Sequence, residues 1–531
     1  MPASNRTSRT RIGIGMSLLA VLVALLTGAW TSSSTSATTH GQSATTTNPG
    51  TSAPSGSWPY PNADLDNTRQ APDSVISSAN VSQLQQAWSF RITSKPETVG
   101  ALAMSPVVVN GVVYIQDMEA NVYALDLATG KLRWEQKFNT PELGGPGPDG
   151  VAVANGQVYG TTPHTVFALS AATGKPVWVD RNLLTKGQGV FEIQPQAING
   201  RLYLASAIGT GLGGGILLAL NAATGKEIWK FNTMLANHVT FGAGGAWEPP
   251  LVGSDGSVTF GIGNPYETPG TSIAHPNRLL YADSEVNLDA ATGKLNWYYQ
   301  AVPNDYQDHD LQTSPIATSI NGTSVIIAAG KMGYVYALNA QTGALLWKTP
   351  VGKHNGHDND GLLALEHKLH LKVPFTIEPG PLGGVLSNPA VADNSVYVST
   401  VDEPIIYTKL SQPLGGGTTQ KPTGEIEALN LTTGAVEWDT KLPQMALGAA
   451  TVSNDLVFTT LYGGELIALN RLTGKIVYRH QLPTSTNAPL VVTGNTVIVP
   501  AGGPVTGGLV PGSVAGEPGG GKAQVVAYTV P

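Results

Sequence analysis

The sequence contains no cysteine among its 531 residues. Disulfide bonds, thiolate metal sites, iron–sulfur clusters and covalently attached haem c are therefore excluded, and any bound metal must use oxygen or nitrogen ligands. Charged residues (12%) and aromatic residues (7%) are also few, whereas glycine (63) and proline (37) are abundant. This balance is typical of a turn-rich globular chain with little helix.

The N-terminal part of the chain has the composition of an export leader. Three arginines precede an apolar stretch at 12–30, and an uncharged Ser/Thr-rich segment follows at 31–57. Such a stretch is typical of a signal peptide, and its 19 residues also suffice for an uncleaved membrane anchor. We therefore expect 1–30 to be a signal peptide or anchor and 31–57 a disordered linker. The remainder would be exported, either secreted or tethered to the outer face of the cytoplasmic membrane through 12–30.

The exported part is acidic. Of the 29 lysines and arginines, three lie in the leader, which leaves 26 basic against 36 acidic side chains and a net charge of −10. Such a surface repels phosphate backbones, so we expect no nucleic-acid partner.

One turn sequence recurs along the chain. "LNAATGKEIW" at Leu220–Trp229 returns as "LDAATGKLNW" at Leu288–Trp297. The glycine of this turn occurs seven times, at Gly130, Gly174, Gly225, Gly293, Gly343, Gly434 and Gly474. Four residues after it stands an aromatic residue, which is Trp134, Trp178, Trp229, Trp297, Trp347, Trp438 or, in the last copy, Tyr478. Seven copies indicate a repeat protein.

Most of these turns follow two β-rich runs joined by a tight turn such as Asn-Gly, which favours a type I′ hairpin. Each unit is thus a four-stranded meander with strands A to D, and radial repetition of such sheets is a β-propeller. There are eight A–B hairpins but seven C–D turns, so the C-terminal "AQVVAYTV" and the "LQQAWSF" around Trp88 must complete the eighth unit. We predict an all-β, eight-bladed β-propeller at 58–531, closed by its N- and C-terminal strands, with tryptophans that dock between neighbouring blades.

The long loops of this propeller fall on one face. B–C loops and D-to-A crossings share a face of a meander, and the longest segments are of these two kinds: 263–283, 352–389, 400–423 and 501–522. We call this the long-loop face. Binding sites concentrate in loops held by a rigid scaffold, so we predict the functional site there.

The segment "NADLDNTRQAPDSVISSANVSQLQQAWSF", together with the seven turns, resembles the pyrroloquinoline quinone (PQQ) dependent alcohol dehydrogenases, a family of eight-bladed quinoproteins. The likeness runs from about Trp58 to the C-terminus. It implies a small alcohol as substrate, PQQ with Ca²⁺ or a lanthanide ion as cofactors, and hydride transfer from the alcohol carbon to the quinone. Because no haem motif is present, electrons would pass to a separate acceptor, either a protein or a quinone.

Four positions match the site of this family, and a fifth lies beside one of them. The resemblance implies that Trp247, in "GGAWEPP", stacks on the quinone, and that Lys331, in "AAGKMGYVYAL", contacts the quinone oxygens. It implies that Asn264, in "GIGNP", ligates the metal, and that Asp308, in "VPNDYQDHDLQ", is both metal ligand and catalytic base. Asp310 lies where lanthanide-using relatives carry an extra acid, so it is expected to be a further metal ligand.

Two positions depart from the family. Where the family has its ligating glutamate, "ASAIGTGLGGG" offers no acid, and Thr210 or a neighbour takes its place, with Thr210 expected to contact the cofactor. The quinone-binding arginine of the family corresponds roughly to Asp149 in "GPDGVAV". An acid beside a tricarboxylate opposes binding. These departures favour an alternative, a non-catalytic propeller that holds a protein or polymer in the cell envelope.

A histidine-rich stretch, "GKHNGHDNDG", offers one more candidate. It would supply a histidine–carboxylate metal site or, as its undiagnostic spacing favours, a polar exposed loop.

Overall fold

A computed structural model describes the following residues: 56–94, 100–140, 147, 149–209, 214–234, 244–412, 422–503 and 521–531. The predicted leader, nearly all of the predicted linker and Thr210 lie outside these residues, so the expectations about them stay predictions, as does the division into 1–30, 31–57 and 58–531. Within the described ranges, no helix combines the length and the apolar composition needed to cross a membrane.

Eight antiparallel sheets follow one another along the chain, and β1 (Gln85–Arg91) belongs to the last of them. Blade 1 contains β2 (Val107–Val109), β3 (Val112–Gln116), β4 (Val122–Asp126) and β5 (Leu132–Gln136), and blade 2 contains β6 (Ala152–Ala154), β7 (Gln157–Thr162), β8 (Thr165–Ser170) and β9 (Pro176–Asp180). Blade 3 contains β10 (Val190–Phe191), β11 (Gln196–Ile198), β12 (Arg201–Ala207), β13 (Ile216–Asn221) and β14 (Glu227–Asn232), and blade 4 contains β15 (Leu251–Val252), β16 (Ser257–Gly261), β17 (Ser284–Asp289) and β18 (Leu295–Gln300).

The second half of the chain repeats this order. Blade 5 contains β19 (Ile316–Ile320), β20 (Thr323–Gly330), β21 (Tyr334–Asn339) and β22 (Leu345–Pro350), and blade 6 contains β24 (Ala390–Ala392), β25 (Ser395–Asp402), β27 (Thr423–Asn430) and β28 (Val436–Leu442). Blade 7 contains β29 (Thr451–Ser453), β30 (Leu456–Leu461), β31 (Glu465–Asn470) and β32 (Ile476–Gln481), and blade 8 contains β33 (Val491–Thr493), β34 (Thr496–Ala501) and β35 (Gln524–Thr529).

The two ends of the described chain close the ring, as predicted. Blade 8 has the strand order β33–β34–β35–β1, and β1 pairs antiparallel with β35, so that Trp88 lies opposite Ala527 and Arg91 opposite Gln524. The N-terminal strand is therefore the outermost strand of the last blade. The predicted eight-bladed, all-β fold with terminal closure is confirmed.

The repeated turn docks a tryptophan of the preceding blade. The indole Nε1 of Trp88 donates a hydrogen bond to the carbonyl of Leu127 at 2.8 Å, and its ring covers Gly130, where a Cβ would lie 2.6 Å from the ring. Gly130 also has a φ of +67°, so both backbone and packing require glycine there. The same indole-to-carbonyl bond recurs around the ring in six further pairs: Trp134–Ala171, Trp178–Ala222, Trp229–Ala290, Trp297–Ala340, Trp347–Leu431 and Trp438–Arg471.

The segment 58–76, which we call the axial segment, joins the inner strands of several blades. Backbone hydrogen bonds link Trp58 to blade 1, Asp66 to blade 5, Thr68 to blade 6 and Ala71 to blade 7, at 2.8 to 2.9 Å. The side chain of Arg69 is fully buried and donates to carbonyl and hydroxyl oxygens in blades 7 and 8. Because strand A is the innermost strand of each blade, this segment crosses the axis of the propeller.

Two short helices and a two-stranded sheet are added on the long-loop face. The helices are α1 (Pro269–Ala274) and α2 (Asp360–Leu365), and the sheet pairs β23 (Phe375–Ile377) with β26 (Ile405–Tyr407). A short 3-10 turn at Val81–Gln83 precedes β1. The helices and the small sheet share one apolar cluster, which consists of Tyr306, Ala364, Leu369, Ile377, Ile405 and Tyr407. We call this unit the cap.

Candidate functional site

The ends of strands B and the crossings into strands A bring five of the predicted site residues together. Asn264 follows β16 and Lys331 follows β20, whereas Asp308 and Asp310 lie in the crossing from blade 4 to blade 5. Trp247 lies in the crossing into blade 4. All five are on the long-loop face, and Asp308 has a φ of +65°, a left-handed conformation that recurs at functional sites.

The two aspartates hold the lysine between them. The Nζ atom of Lys331 lies 3.0 Å from Oδ2 of Asp308 and 2.6 Å from Oδ2 of Asp310. The backbone N–H of Asn264 donates to Oδ1 of Asp310 at 2.6 Å, and its side-chain amide donates to Oδ1 of Asp308. Trp247 adjoins this group, because a Cβ on the neighbouring Gly263 would lie 2.7 Å from its Nε1 and would overlap Oδ1 of Asp310.

This arrangement leaves an oxygen available for a cation. The side-chain Oδ1 of Asn264 is buried and has no hydrogen-bond partner among the described residues. Buried polar atoms of native proteins are nearly always satisfied, so an exception needs an explanation such as a missing ion. Amide and carboxylate oxygens are the ligands that Ca²⁺ and similar hard ions prefer. Asn264, Asp308 and Asp310 together therefore fit a hard metal ion.

Two further buried acids occur in strand C of blade 4 and just before it, and one of them, Asp283, is close enough to Lys331 to interact with it. Asp283 and Glu285 are fully buried, and neither carboxylate has a hydrogen-bond partner within the described part of the chain. Burial raises the pKa of both well above its usual range, and for Asp283 the neighbouring aspartates raise it further. Burial likewise raises the pKa of Asp308 to about 8, although Lys331 lowers it. The site thus carries an excess of acid that one lysine does not neutralise.

Sequence reasoning missed Asp283 and Glu285. They occur at the start of strand C of blade 4, whose sequence "SEVNLD" alternates polar residues with Val286 and Leu288. This alternation predicts a half-exposed strand, so the sequence pattern does not indicate that the polar positions are buried. Glu285 pairs with Gly261 of strand B.

A second acidic group lies on the other side of the site. The backbone N–H of Asp149 donates to the carbonyl of Glu192 at 2.6 Å, and Oε2 of Glu248 accepts a hydrogen bond from Asn388 at 2.9 Å. Burial raises the pKa of Asp149 well above its usual range, and Glu248 and Glu192 raise it further. Burial raises the pKa of Glu248 to about 7. Burial raises the pKa of Tyr266, and Asp310, Asp308 and Glu192 raise it further, so Tyr266 is near acids of both groups.

The cap packs beside Asp308. The hydroxyl of Tyr306, two residues before Asp308, donates to Oδ2 of Asp360 at the start of α2. The hydroxyl of Tyr407 donates to the carbonyl of Tyr306 at 3.3 Å. Aromatic and aliphatic side chains therefore cover this side of the site, which favours an apolar ligand next to the carboxylate of Asp308.

The histidine-rich stretch forms two separate pairs. Nδ1 of His354 lies 2.5 Å from Asp358, and Nδ1 of His357 lies 2.8 Å from Asp360. The described residues do not gather these four side chains into a group that could hold one metal ion.

Comparison with known proteins shows which proteins the chain is similar to. A family model described as the glucose/ethanol/alcohol dehydrogenase β-propeller domain, named for PQQ, matches residues 58–177 and 255–354. The quinoprotein alcohol dehydrogenase PedH of Pseudomonas putida is 26% identical over 478 residues, which covers 78% of this chain and 80% of that protein. The chain is thus similar to the PQQ-dependent alcohol dehydrogenases, and these matches support that family of eight-bladed propellers.

Other members and neighbours are more distant or matched over a shorter part. Quinohemoprotein alcohol dehydrogenase ADH-IIG of Pseudomonas putida is 29% identical over 329 residues, 55% of this chain and 45% of its own length. The structure of a europium-containing methanol dehydrogenase matches with a TM-score of 0.74 at 19% identity, over 89% of this chain and 98% of that one. A second family model, of the outer membrane protein assembly factor BamB, matches residues 142–253 and 422–512. These likenesses support the propeller fold.

The structure brings together Trp247, Asn264, Asp308, Asp310 and Lys331 in the positions just described. Their individual roles stay predictions. The contact expected of Thr210 falls outside the described residues. The acid in place of the family arginine, Asp149, is present and has other acids as neighbours.

Proposed function

We propose that this chain is an exported quinoprotein that oxidises a small alcohol with PQQ and a hard metal ion. The proposal rests on one observation: beside Trp247, on the long-loop face, four side chains contact one another, those of Asn264, Asp308, Asp310 and Lys331. Its relatives are alcohol dehydrogenases with PQQ-type propellers, which supports the reaction class. The leader predicted at 1–30 supports export, and the absence of cysteine implies a separate electron acceptor.

The oxygen atoms of Asn264, Asp308 and Asp310 fit the proposed metal ion. Oδ1 of Asn264 and the carboxylates of Asp308 and Asp310 would be the protein ligands, and the second carboxylate favours a trivalent lanthanide over Ca²⁺. Such an ion supplies Lewis-acid polarisation of a carbonyl oxygen. It would also offset the charge of the buried carboxylates near Lys331.

The quinone would lie against Trp247, with Lys331 as the cation nearest its oxygens. The opposite, acidic side opposes a ligand with three carboxylates only when its acids are ionised. The pKa of Glu248 is raised to about 7 and that of Asp149 is raised well above its usual range, so both hold protons more strongly than free carboxyls, and Glu248 is largely protonated in mildly acidic solution. Protonated carboxyls donate hydrogen bonds to carboxylates, so the fit is best in mildly acidic solution.

Asp308 is the base in this proposal. In the metal-free chain its pKa is about 8, so its carboxyl holds a proton at neutral pH. A neighbouring cation favours the ionised form and lowers that pKa. Asp308 can then accept the hydroxyl proton of the alcohol at a carboxylate oxygen, while the apolar cap excludes water from the same side.

The proposal is tested by titrating chelator-treated full-length protein with PQQ and either Ca²⁺ or La³⁺. A ligand that binds only the folded state raises the melting temperature, and stacking on Trp247 should quench tryptophan fluorescence. With an artificial dye, alcohol-dependent reduction should appear. Asp308→Asn should retain most cofactor binding but lose turnover, because an amide offers an oxygen yet accepts no proton. Trp247→Ala should weaken PQQ binding.

Asp393→Asn, at an exposed position in blade 6, is the matched control for removal of one carboxylate, and it should bind PQQ and turn over as the wild type does. If saturating PQQ and metal change neither the melting curve nor the fluorescence, the proposal fails. The non-catalytic scaffold would then be the better account of the long-loop face.

A further inference from the structure

A second group of acids lies on blade 6, next to the crossing that arrives from blade 5. Glu425, Glu427 and Asp439 each present one carboxylate oxygen, and the three oxygens lie within 4.8 Å of one another. Glu425 and Glu427 are two residues apart on β27, so they project from the same face of the sheet. Asp439 is directly opposite Glu427 on β28 and shares that face.

Two of these acids are buried to an unusual degree. Glu425 is 1% exposed and Glu427 is 4% exposed, although like charges at adjacent positions of one sheet face repel. Buried carboxylates require charge compensation. Their arrangement on two neighbouring strands is rigid, because both strands lie inside the hydrogen-bonded ladder of blade 6.

A buried hydroxyl without a partner completes this group. Thr400 is 0% exposed, and its Oγ1 has no hydrogen-bond partner among the described residues. Thr400 is directly opposite Glu425 in the pairing of β25 with β27, so its side chain lies on the same face as the three acids. A buried hydroxyl that has no hydrogen-bond partner and lies beside three carboxylates offers a cation a further oxygen ligand.

Oxygen atoms of Glu427, Thr400 and Asp402 converge around Gly352, which lies in the crossing from blade 5. Its N–H donates to Oε1 of Glu427 at 2.7 Å. A Cβ placed on it would lie 3.3 Å from both Oγ1 of Thr400 and Oδ1 of Asp402. The absence of a side chain at Gly352, which also has a φ of +73°, therefore leaves space beside the hydroxyl and the carboxylates.

One lysine now supplies positive charge to the group. Nζ of Lys441 lies 2.5 Å from Oε1 of Glu425 and 2.7 Å from Oδ2 of Asp439. Its side chain is 65% exposed, so it reaches the acids from solvent and loses side-chain entropy when it does. Lys353 pairs instead with Asp402, at 3.2 Å. The ammonium of Lys441 offsets one negative charge among three carboxylates, and it does not hold their oxygens in a fixed coordination geometry as a metal ion would.

We propose that Glu425, Glu427, Asp439 and Thr400 form a second cation site, for Ca²⁺ or an ion of similar hardness. A central ion 2.3–2.6 Å from oxygen ligands requires ligand separations of the size seen here. The ammonium of Lys441 occupies the same position as the ion and returns to solvent when the ion binds. Through Glu427 and Gly352, the ion would fasten blade 6 to the crossing that leaves blade 5. This site is independent of the proposed quinone site.

The proposal is tested by counting Ca²⁺ bound per chain, in chelator-treated full-length protein without PQQ, by equilibrium dialysis up to about 5 mM Ca²⁺, since extracellular calcium sites bind at about 10⁻⁴–10⁻³ M. Asp439→Asn and Glu427→Gln should each lose one equivalent relative to the wild type. Thr400→Val, which removes the hydroxyl at nearly constant volume, should weaken binding at the same site. Glu437→Gln, an equally exposed acid two residues before Asp439 on β28, is the matched control and should lose none.

Lys441→Met distinguishes a cation site from a structural ion pair. Removal of the competing ammonium should tighten Ca²⁺ binding on the order of tenfold, as expected for loss of one charge in direct contact. A lysine that merely stabilised the fold would leave Ca²⁺ binding unchanged. Unchanged stoichiometry in Asp439→Asn would overturn the proposal, as would a Lys441→Met chain that binds no more tightly than the wild type. Asp439 and Lys441 both reach solvent, so these two variants decide the question even if Glu427→Gln does not fold.

Discussion

The charge balance around Lys331 gives the sharpest prediction about stability. Lys331 is 8% exposed, and its ammonium lies within 3.0 Å of both Asp308 and Asp310. Lys331→Met keeps the length of the side chain but removes the charge, which leaves two adjacent carboxylates without their cation. Removal of one partner of a buried ion pair costs about 3–5 kcal/mol. We expect the free energy of unfolding of the metal-free chain to fall by about that amount.

The loss should depend on pH. Burial raises the pKa of Asp308 to about 8, and Lys331 is among the groups that lower it, so the pKa rises further in the variant. At pH 6 Asp308 is protonated in both proteins, so its carboxyl loses no ion pair when the ammonium is removed. At pH 9 Asp308 is largely ionised beside Lys331 in the wild type, whereas in the variant it must retain its proton or stay charged without a cation, and either adds to the cost. Lys331→Met should therefore be more destabilising at pH 9 than at pH 6.

Urea unfolding of the wild type and the variant at the two pH values measures this difference. Lys368→Met is the control, because Lys368 forms an exposed pair with Glu366, and such pairs contribute about 0–1 kcal/mol. Added Ca²⁺ should restore more stability to Lys331→Met than to the wild type, since an ion then supplies the missing charge. The reasoning would be refuted by a Lys331→Met chain as stable as Lys368→Met, or by a loss that is the same at both pH values.

The remaining predictions concern pH, the cofactor and the ring of tryptophans. Burial raises the pKa of Glu248, Glu267 and Glu403 to about 7 each. Their contribution to stability is therefore present below about pH 4.5 and is lost as the pH rises through 7. The melting temperature of the metal-free chain should fall between pH 5 and 8, and a rise would contradict this prediction. PQQ should bind more weakly at pH 9 than at pH 6, because Glu248 is then ionised; equal affinities in a fluorescence titration would count against the acidic pocket. Trp88→Ala should lower the free energy of unfolding by about 3–5 kcal/mol, and a loss below about 1 kcal/mol would mean that closure does not depend on this indole.

The propeller could be predicted because its signals are local. Each blade-to-blade contact is fixed by a tight turn, an alternating strand and a tryptophan four residues after a glycine. The structure shows the same contact between Trp88 and Gly130, where the ring closes. Because the sequence has eight A–B hairpins but seven C–D turns, the N-terminal strand is needed to complete the last blade. Five of the predicted site residues meet because the repeat brings the ends of strands B and the crossings into strands A to the same face of the propeller.

The cap and the axial segment could not be predicted in the same way. β23 and β26 have three residues each and come from different loops, so neither has a period that a sequence pattern could detect. The axial segment is bonded to five blades through backbone atoms, and a backbone hydrogen bond does not depend on which side chain the residue carries. Asp283 and Glu285 were missed because their significance depends on burial, and burial is set by neighbours distant in sequence.

The buried acids also bear on which state of the protein is native. Asp283, Asp308 and Asp310 share one region, with Lys331 as the ammonium that pairs with the last two, and Glu285 is buried two residues after Asp283. Removal of carboxylates from water costs several kcal/mol each unless protons, hydrogen bonds or cations compensate. A propeller whose blades are locked by seven docked tryptophans can tolerate that cost in a local site, as strained functional sites generally require. A fold selected for stability alone would replace these acids with apolar residues. Their retention beside Oδ1 of Asn264, which also lacks a partner among the described residues, is therefore most simply explained by a cation that belongs to the working state of the site.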